Sequence, residues 1–347
     1  MTDQLFDQLN AVPAGLLEAD SIHLRDFLPK PTLIHLSGKL TEPLFISVLL
    51  HGNEPTGFLA VQQLLKKYQH RELPRSLALF FGNIDAAAQN VRRLEHQPDY
   101  NRIWPGTELP ESPETAMAAA VLTVMRERRV FASIDVHNNT GLNPHYACVN
   151  RLDNGFLHLA ALFGRLVVYF TRPTGVQSAA FARLCPSVTL ECGRPGQQYG
   201  TDHAFEFLDS CLHLSALPEQ SLHARDIDLF HTVAQVKVAD DISFSFKRAD
   251  CDLILNEDLE RMNFTEIAPG TILGHTRNAT LSPLIAQDEL GNNVTHQFFD
   301  LRNGNLQIIR PTMPSMLTLD ELVIRQDCLC YLMERFHLPA HQESRSP

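Results

Sequence analysis

The chain has 347 residues, of which 44% are hydrophobic, and this is enough for a large core and for two domains. The formal charge of −11 is spread along the chain without a long basic run, and no window approaches the roughly 18 apolar residues of a membrane span. Residues 1–10 lack the pattern of a secretory leader, and the seven cysteines fit reduced thiols. We therefore expect a cytoplasmic protein with neither nucleic-acid nor membrane partners.

From residue 44 onward, predicted strands and helices alternate. The apolar runs 44–50 and 77–81 are typical of strands that are covered on both faces, and a helix-like stretch, 56–67, lies between them. A helix is predicted over 113–128, because Ser112 can cap it and a proline suits its first position. Further strands are predicted at 131–137, 145–150, 166–171 and 187–192, and a further helix at 157–164.

Two domains follow from this pattern. Strand–helix alternation predicts a three-layer α/β domain over residues 1–220, with a parallel or mixed central sheet. Beyond it, the runs 233–238 and 243–246 alternate with period two and are followed by Pro-, Gly- and Asn-containing turns. This predicts a smaller β-rich domain over 221–347, and the helical spacing of 320–337 predicts a terminal helix within it.

Two of the predicted strands end in residue types that bind metal ions. His51 and Glu54 follow the first strand, three residues apart, and His137 ends the strand 131–137. A catalytic zinc ion takes three protein ligands and a water molecule, and imidazoles and carboxylates are ordinary ligands. We therefore predict one Zn²⁺ per chain on these three side chains. The alternatives are a surface His–Glu pair and a histidine that only satisfies its hydrogen bonds at a sheet edge.

A hydrolytic zinc site also needs a base that is not itself a ligand, so that a proton can leave the attacking water. Glu191 closes a buried strand, where a carboxylate is costly unless a partner or a cation offsets its charge. We predict Glu191 as this base, the alternative being a plain structural acid. Asp135 lies two residues before His137, hence on the same strand face, and can orient its imidazole or a neighbouring group.

Arginines and an asparagine supply candidate substrate contacts. The guanidinium of Arg102 can hold a carboxylate through two parallel hydrogen bonds, and Asn101 can add a further donor. Arg92 and Arg93 are adjacent, so one can polarise the scissile carbonyl while the other faces solvent. The sequence leaves open which of the two does so.

Four stretches of the chain, taken in order, form a known pattern. They are His51-Gly52-Asn53-Glu54, Gly82-Asn83 leading to Asn101-Arg102, Asp135-Val136-His137-Asn138, and Leu190-Glu191-Cys192-Gly193. In order and approximate spacing they resemble the succinylglutamate desuccinylase/aspartoacylase family of the zinc carboxypeptidase superfamily, over about residues 44–200. The chain departs from that family in having Asn83-Ile84-Asp85 where Asn-Pro is common, and in two extra residues before Asn101.

The resemblance implies a zinc-carboxypeptidase-like fold with a C-terminal β-rich domain, and it implies the same zinc ligands and the same base. It also implies that Asn101 and Arg102 bind the substrate carboxylate, with Arg183 as a further substrate-binding arginine. The interpretation is a zinc-dependent hydrolase that cleaves the amide, or less readily the ester, of an N-acyl amino acid or similar small carboxylate substrate. The alternatives are a metallocarboxypeptidase acting on peptides and a non-catalytic binding protein on the same fold. The oligomeric state stays open, a homo-oligomer included.

Overall fold

The computed structural model describes residues 5–223, 225–248, 250–277 and 282–338. The strands, in chain order, are β1 (Asp7–Leu9), β2 (Thr32–Leu36), β3 (Gly38–Val48), β4 (Leu73–Phe81), β5 (Ala132–His137), β6 (Tyr146–Val149), β7 (Leu166–Tyr169), β8 (Ser187–Glu191), β9 (Asp228–Val238), β10 (Phe244–Ser245), β11 (Leu253–Leu255), β12 (Ile272–Thr276), β13 (Leu284–Gln287), β14 (Phe299–Arg302), β15 (Asn305–Ile308), β16 (Met313–Ser315) and β17 (Cys330–Arg335). The helices are α1 (Thr56–Tyr68), α2 (Ile84–Ala88), α3 (Pro113–Glu127), α4 (Asn154–Phe163), α5 (Gln177–Phe181), α6 (Gln198–Leu212), α7 (Thr295–Phe298) and α8 (Glu321–Gln326).

Most strands join one large mixed sheet. Over the described residues its twelve strands follow the order β1-β2-β4-β3-β5-β8-β6-β7-β9-β17-β16, and β13 also pairs with β9. At the centre, β4, β3, β5 and β8 are parallel neighbours, and β6 runs antiparallel to β8. The predicted α/β fold with a mixed central sheet is confirmed.

Helices cover the central strands on both faces, which gives three layers. Ile46 and its neighbour Phe45 are both fully buried, yet they belong to different hydrophobic clusters. The cluster of Ile46 contains residues of α1, α4 and α6, whereas that of Phe45 contains residues of α3 and α5. Because successive strand residues face opposite sides, a strand covered on both sides must be apolar without interruption. This is the physical reason for the apolar run in β3.

The helix starts illustrate local and non-local capping. At α3, Ser112 Oγ accepts the N–H of Thr115 at 3.2 Å, and Thr115 Oγ1 accepts the N–H of Ser112 at 2.9 Å, so the predicted cap is confirmed as a capping box. At α1, the N–H of Thr56 is capped instead by the side chain of Asn138, which follows β5, at 3.2 Å. The start of α1 is therefore tied to the end of the neighbouring strand.

A second sheet of five strands, in the order β10-β11-β12-β15-β14, is formed by later parts of the chain. Its core includes Leu253, Leu273 and Leu306, and the β-rich C-terminal part is confirmed. Residues beyond 220 also supply β9, β13, β16 and β17 to the large sheet. The exact position of the domain boundary, after residue 220, stays a prediction.

The predicted terminal helix over 320–337 is wrong for most of its length. Helix α8 spans only Glu321–Gln326, and the side chain of Asp320 caps its start by accepting two backbone N–H groups. The chain then forms β17, which pairs antiparallel with β9 on one side and with β16 on the other. Leu332 and Met333 are buried there. Long-range pairing and burial therefore outweigh the local helical spacing.

The seven cysteines are all buried free thiols, including Cys192 beside Glu191. Burial raises the pKa of the Cys192 thiol well above its usual value, and the charges of Glu191 and Glu54 raise it further, which makes this thiol unreactive. Among the helices of the described ranges, none is long and apolar enough to cross a membrane.

Candidate metal centre and active site

The candidate ligands and the candidate base come from the ends of neighbouring strands. In the register of β5 and β8, His137 lies directly opposite Glu191, and β6 places Tyr146 opposite Glu191 on the other side. Directly paired residues project from the same face of a sheet, so the three side chains lie next to one another. Strand β3, on the far side of β5, leads into the turn that carries His51 and Glu54.

A close approach of two backbones shapes that turn. A Cβ atom at Gly52 would lie 2.2 Å from the carbonyl carbon of Ala86 and 2.2 Å from the amide nitrogen of Ala87, both in α2. Gly52 is not among the residues with positive φ, so the lack of a side chain is what the turn requires. The turn brings His51 and Glu54 over the end of the sheet.

Glu54 lies between the two imidazoles. Its Oε1 is 2.9 Å from His51 Nδ1, and its Oε2 is 2.7 Å from His137 Nδ1. The N–H of Asn138 donates to Glu54 Oε2 at 3.1 Å. One potential ligand atom from each of the three residues lies within 4.8 Å of the others, and all three residues are buried. The structure therefore brings the three predicted ligands together.

The second nitrogen of each imidazole faces another carboxylate. His137 Nε2 lies 2.7 Å from Asp135 Oδ2, and His51 Nε2 lies 2.9 Å from Asp99 Oδ1. Asp135 is fully buried, and its other oxygen accepts the hydroxyl of Ser47 at 2.6 Å. Carboxylate partners of this kind fix the tautomer of a metal-binding histidine and direct its other nitrogen toward the cation.

Charge on these imidazoles is set by burial and by the surrounding acids. Burial lowers the pKa of His137, but Asp135 and Glu54 outweigh it and raise that pKa well above its usual value. Burial also lowers the pKa of His51, and Glu54 and Asp99 reverse that shift. In turn, burial raises the pKa of Glu54, but the two imidazoles hold it well below its usual value. Three carboxylates around two imidazoles make a site that favours a cation.

The donor set fits zinc. Two imidazole nitrogens and one carboxylate are the protein ligands of a known type of catalytic zinc site, and carboxylates behind both imidazoles complete that pattern.

Glu191 lies beside this cluster. Asn139 Nδ2 donates to Glu191 Oε2 at 3.3 Å, and none of the ion pairs within the described ranges involves Glu191. Burial is the largest cause that raises the pKa of Glu191; His137 opposes it, Glu54 adds to it, and the resulting pKa is about 8. A carboxyl group that titrates near neutral pH can both accept and return a proton.

Of the two adjacent arginines, Arg92 faces the cluster. Its Nη2 donates to Asp99 Oδ2 at 2.9 Å and to Asp327 Oδ2 at 3.1 Å, and its Nη1 lies 3.7 Å from Glu54 Oε1. Arg93 donates instead to backbone carbonyl oxygens of its own loop. Of the two arginines, Arg92 lines the cavity and Arg93 does not, so Arg92 is the better candidate for polarising the scissile carbonyl, and that role stays a prediction.

Asn101 and Arg102 also line the cavity, and both are engaged within the protein. Asn101 Nδ2 lies 3.3 Å from His137 Nε2, and its Oδ1 accepts the N–H of Gln177 at 2.9 Å. Arg102 donates through Nη2 to Asp327 Oδ1 at 2.9 Å and through Nη1 to the carbonyl of Asn101 at 2.8 Å. Both residues thus lie at the candidate site, and their contact with a substrate carboxylate stays a prediction.

Arg183 is exposed and is not among the residues that line the cavity, so its role as a further substrate-binding arginine stays a prediction. Helix α5 ends at Phe181, whose ring is fully buried and stacks on Phe45 at 4.4 Å. Arg183 follows two residues later and is exposed. Its guanidinium lies near Gly106.

Two acids of the site escaped the sequence prediction. Asp99 stands two residues before Asn101 in the same loop, so its position next to predicted site residues could have identified it as a site residue. Asp327 follows α8 and lies 235 residues beyond Arg92 in the chain, and nothing in its local sequence marks it as a site residue.

A cavity of about 670 Å³, its open mouth included, connects these groups. One part of its lining is charged and contains the His51, Glu54 and His137 cluster together with Glu191. Other lining residues are apolar, among them Val168, Phe170, Val176 and Met316. The C-terminal part of the chain contributes Met316, Asp327 and Tyr331.

The fold and the cluster place the chain in the class of mixed-sheet α/β proteins with a buried group of residues that could hold a metal ion. Residues 41–212 match the family model described as the succinylglutamate desuccinylase/aspartoacylase catalytic domain. The chain belongs to the succinylglutamate desuccinylase/aspartoacylase family.

Solved structures share this fold. The succinylglutamate desuccinylase from Chromobacterium violaceum has a TM-score of 0.56 at 19% identity, covering 86% of this chain and 86% of that one. The desuccinylase from Vibrio parahaemolyticus has a TM-score of 0.58 at 15% identity, covering 87% and 84%. Murine aminoacylase 3 has a TM-score of 0.56 at 14% identity, covering 87% and 98%. A comparison with curated protein sequences gave no match. Family membership supports a hydrolytic enzyme of the deacylase type.

Proposed function

We propose that the protein is a zinc-dependent deacylase that cleaves the amide bond of an N-acyl amino acid or a similar small carboxylate substrate. The observation that carries the proposal is the position of Glu191, a buried acid that lies beside the three candidate ligands and forms no ion pair with them. A protein that only bound its ligand would have no need of this acid. The family and the fold support the same class of reaction.

His51, Glu54 and His137 would hold one zinc ion per chain. A bound zinc ion supplies Lewis acidity, which polarises a carbonyl group and lowers the pKa of water. The convergence of both Nδ1 atoms on Glu54, with carboxylates behind both Nε2 atoms, supports this assignment.

Glu191 manages the proton in this proposal. As a carboxylate it accepts a proton from the attacking water while the water oxygen forms a bond with the acyl carbon. When the carbon–nitrogen bond breaks, Glu191 returns the proton to the leaving amine, so that a carboxylic acid and an amine are released. A pKa of about 8, raised by burial, suits a group that must do both near neutral pH.

Arg92 is proposed to stabilise the negative charge that develops on the acyl oxygen. Its guanidinium is held by Asp99 and Asp327, and its Nη1 is directed toward Glu54. A donor that is already oriented pays no reorganisation cost at the moment of reaction.

Asn101 and Arg102 are proposed to hold the substrate carboxylate. A guanidinium carries five N–H groups, so Arg102 keeps donors besides the two that bind Asp327 and the carbonyl of Asn101. We also propose that residues 221–347 act as a domain that walls the cavity, through Met316 and Tyr331 among others, and limits substrate size. The buried free cysteines are compatible with the proposed cytoplasmic location.

The test is amine release from a panel of N-acyl amino acids by the zinc-loaded protein. Glu191→Gln should retain zinc and lose turnover by about 10²–10⁴-fold, because an amide cannot accept the proton. A variant with equal zinc content and near-normal turnover would rule out the assigned base. Turnover of peptides but of no N-acyl amino acid would favour a metallocarboxypeptidase.

A further inference from the structure

We propose that Asp327 determines substrate specificity: by pairing with both Arg92 and Arg102, it closes the interior of the cavity to a second carboxylate. The enzyme would then act on N-acyl amino acids whose acyl group is uncharged and apolar. This inference rests on the proposed function, because it specifies the substrate class of the same site. It is supported by the pairing of charges in the cavity and by the apolar part of the lining.

Arg92 is already shared between two carboxylates. Its Nη2 lies 2.9 Å from Asp99 Oδ2 and 3.1 Å from Asp327 Oδ2, and its Nε lies 3.3 Å from the same oxygen of Asp99. The three side chains are only 10%, 11% and 15% exposed, so water screens them little. The charge of a guanidinium between two carboxylates is already offset, so Arg92 cannot compensate the burial of a third full carboxylate. Its Nη1, which donates to neither Asp99 nor Asp327, is the group that remains for the developing charge on the acyl oxygen.

Asp327 pairs with Arg102 as well. Its Oδ1 accepts from Arg102 Nη2 at 2.9 Å and its Oδ2 accepts from Arg92, so one carboxylate bridges two arginines. Burial raises the pKa of Asp327, but Arg102 and Arg92 outweigh it and hold that pKa below its usual value. Asp327 is therefore charged at neutral pH, and it occupies the position from which two arginines would otherwise bind a ligand carboxylate.

The third arginine of the lining, Arg172, also has partners. Its Nη2 donates to Glu108 Oε1 at 3.0 Å, and its Nε donates to the carbonyl of Glu289 at 2.8 Å. Within the described ranges, every arginine that lines the cavity thus has a carboxylate partner, and Arg172, whose pair with Glu108 is 35% and 66% exposed, lies toward solvent and not in the interior. One substrate carboxylate can use the remaining donors of Arg102, but a second would be buried without a compensating cation.

The rest of the lining suits an apolar group. Val168, Phe170, Val176 and Met316 face the same cavity, and Val168 and Val176 are almost fully buried. The hydroxyl of Tyr146 donates to the sulfur of Met316 at 3.1 Å and so is already used within the protein. Such a surface stabilises an alkyl or aryl group by burial and disfavours a carboxylate. The arginine–carboxylate pairs and the apolar lining residues therefore both favour an uncharged, apolar acyl group.

The test compares two acids of equal chain length that differ by one carboxylate, butyrate and succinate. Their dissociation constants are measured by calorimetry on the zinc-loaded protein, so that the result does not depend on turnover. The wild-type protein should bind butyrate at least about tenfold more tightly than succinate, a ratio that corresponds to about 1.4 kcal/mol. Equal or tighter binding of succinate, or no measurable binding of butyrate, would overturn the inference.

Asp327→Asn keeps the shape of the side chain and removes the charge. The variant should lower the butyrate-to-succinate preference about tenfold, because the positive charges of Arg92 and Arg102 are then no longer offset by Asp327 and can bind a ligand carboxylate. The matched control is Asp288→Asn, which removes the same charge from an exposed loop near the mouth without touching either arginine. A preference that is unchanged in Asp327→Asn, or changed equally in the control, would refute the role of Asp327.

Hydrolysis separates this inference from the proposed function. N-butanoyl and N-succinyl derivatives of the same amino acids are offered to the wild-type protein and to Asp327→Asn. Turnover of N-butanoyl compounds in preference to N-succinyl compounds is expected, with the preference reduced in the variant. If no N-acyl amino acid is hydrolysed while the butyrate preference persists, the proposed function fails and the assigned specificity of the cavity stands.

Discussion

The orientation of a metal-binding imidazole depends on the group behind it. Both oxygens of Asp135 are engaged, one by His137 Nε2 at 2.7 Å and the other by the hydroxyl of Ser47 at 2.6 Å. A fully buried carboxylate that is held at both oxygens cannot rotate away, so the ring of His137 stays with Nδ1 toward Glu54. The basicity of His137 toward a cation thus rests on Asp135.

Replacement of Asp135 by asparagine should weaken zinc binding by about 10–100-fold, because an amide cannot make the imidazole as basic as a carboxylate does. The measurement is competition for zinc with a fluorescent chelator. Asp240→Asn, at an exposed position, is the control for the loss of one negative charge and should bind zinc as the wild type does. Equal affinities for all three proteins would show that Asp135 does not support a metal ligand.

Local sequence marked some of the site residues and not others. The three candidate ligands could be predicted because each stands at the end of an apolar strand or in the turn after it and carries a ligand atom; they are His51, Glu54 and His137. Asp327 could not, since its role depends on a contact with Arg92 across 235 residues of chain. Adjacent arginines were indistinguishable in sequence, because only the course of the loop decides that Arg92 faces the cavity.

At the scale of elements, the site depends on how tightly the turn after β3 packs on α2. A Cβ at Gly52 would meet backbone atoms of Ala86 and Ala87 at 2.2 Å, and backbone cannot move aside as a flexible side chain can. Gly52→Ala should therefore lower the free energy of unfolding by about 1–3 kcal/mol, as overpacking usually does. Denaturant unfolding of the metal-free protein measures this without a contribution from zinc.

Gly164→Ala is the matched control for that substitution. Nothing lies within 4 Å of a Cβ built at Gly164, and its φ of 173° is an extended conformation that alanine can adopt. Its free energy of unfolding should stay within about 0.5–1 kcal/mol of the wild type. If both variants unfold alike, the close approach at Gly52 is not a constraint on the fold.

The elements differ in how far their secondary structure can be predicted from their own sequence. The central strands were predictable because burial on both faces requires an uninterrupted apolar run, as in β3 and β5. Strand β17 was not, because its residues have helical spacing and become a strand only by pairing with β9 and β16. Asp327 lies in the connection between α8 and β17, inside the stretch predicted as one helix, so the wrong prediction for this element also concealed a residue of the site.

At the scale of the whole molecule, the large sheet joins parts of the chain that the sequence assigns to different domains. Strands β7 and β9 pair in parallel across the predicted boundary. This pairing carries the segment of Met316, Asp327 and Tyr331 to the cavity whose metal-ligand residues come from the first half of the chain. The residues of the proposed substrate selection and those of the proposed chemistry are therefore connected through one continuous sheet.

A buried histidine in β2 links the stability of the whole fold to pH. Burial and, to a smaller extent, the charge of Arg128 together lower the pKa of His35 to about 4, while its Nε2 lies 3.2 Å from Gln8 Oε1. In the unfolded chain a histidine titrates near 6.5, so between about pH 6.5 and pH 4 the unfolded state binds the proton more readily. The stability that neutral His35 provides is present above this range and is lost as the pH falls through it.

His35→Gln should therefore lose less stability than the wild type on acidification. Allowing for solvent screening, the difference between the two losses from pH 6.5 to pH 4 should be about 1–2 kcal/mol. Urea unfolding curves of both proteins across this range give the comparison. Carboxylates with lowered pKa, such as Glu54 and Asp99, destabilise both proteins equally in acid, so they cancel in the difference. Parallel pH profiles for the two proteins would mean that His35 is not the group that couples acid to unfolding.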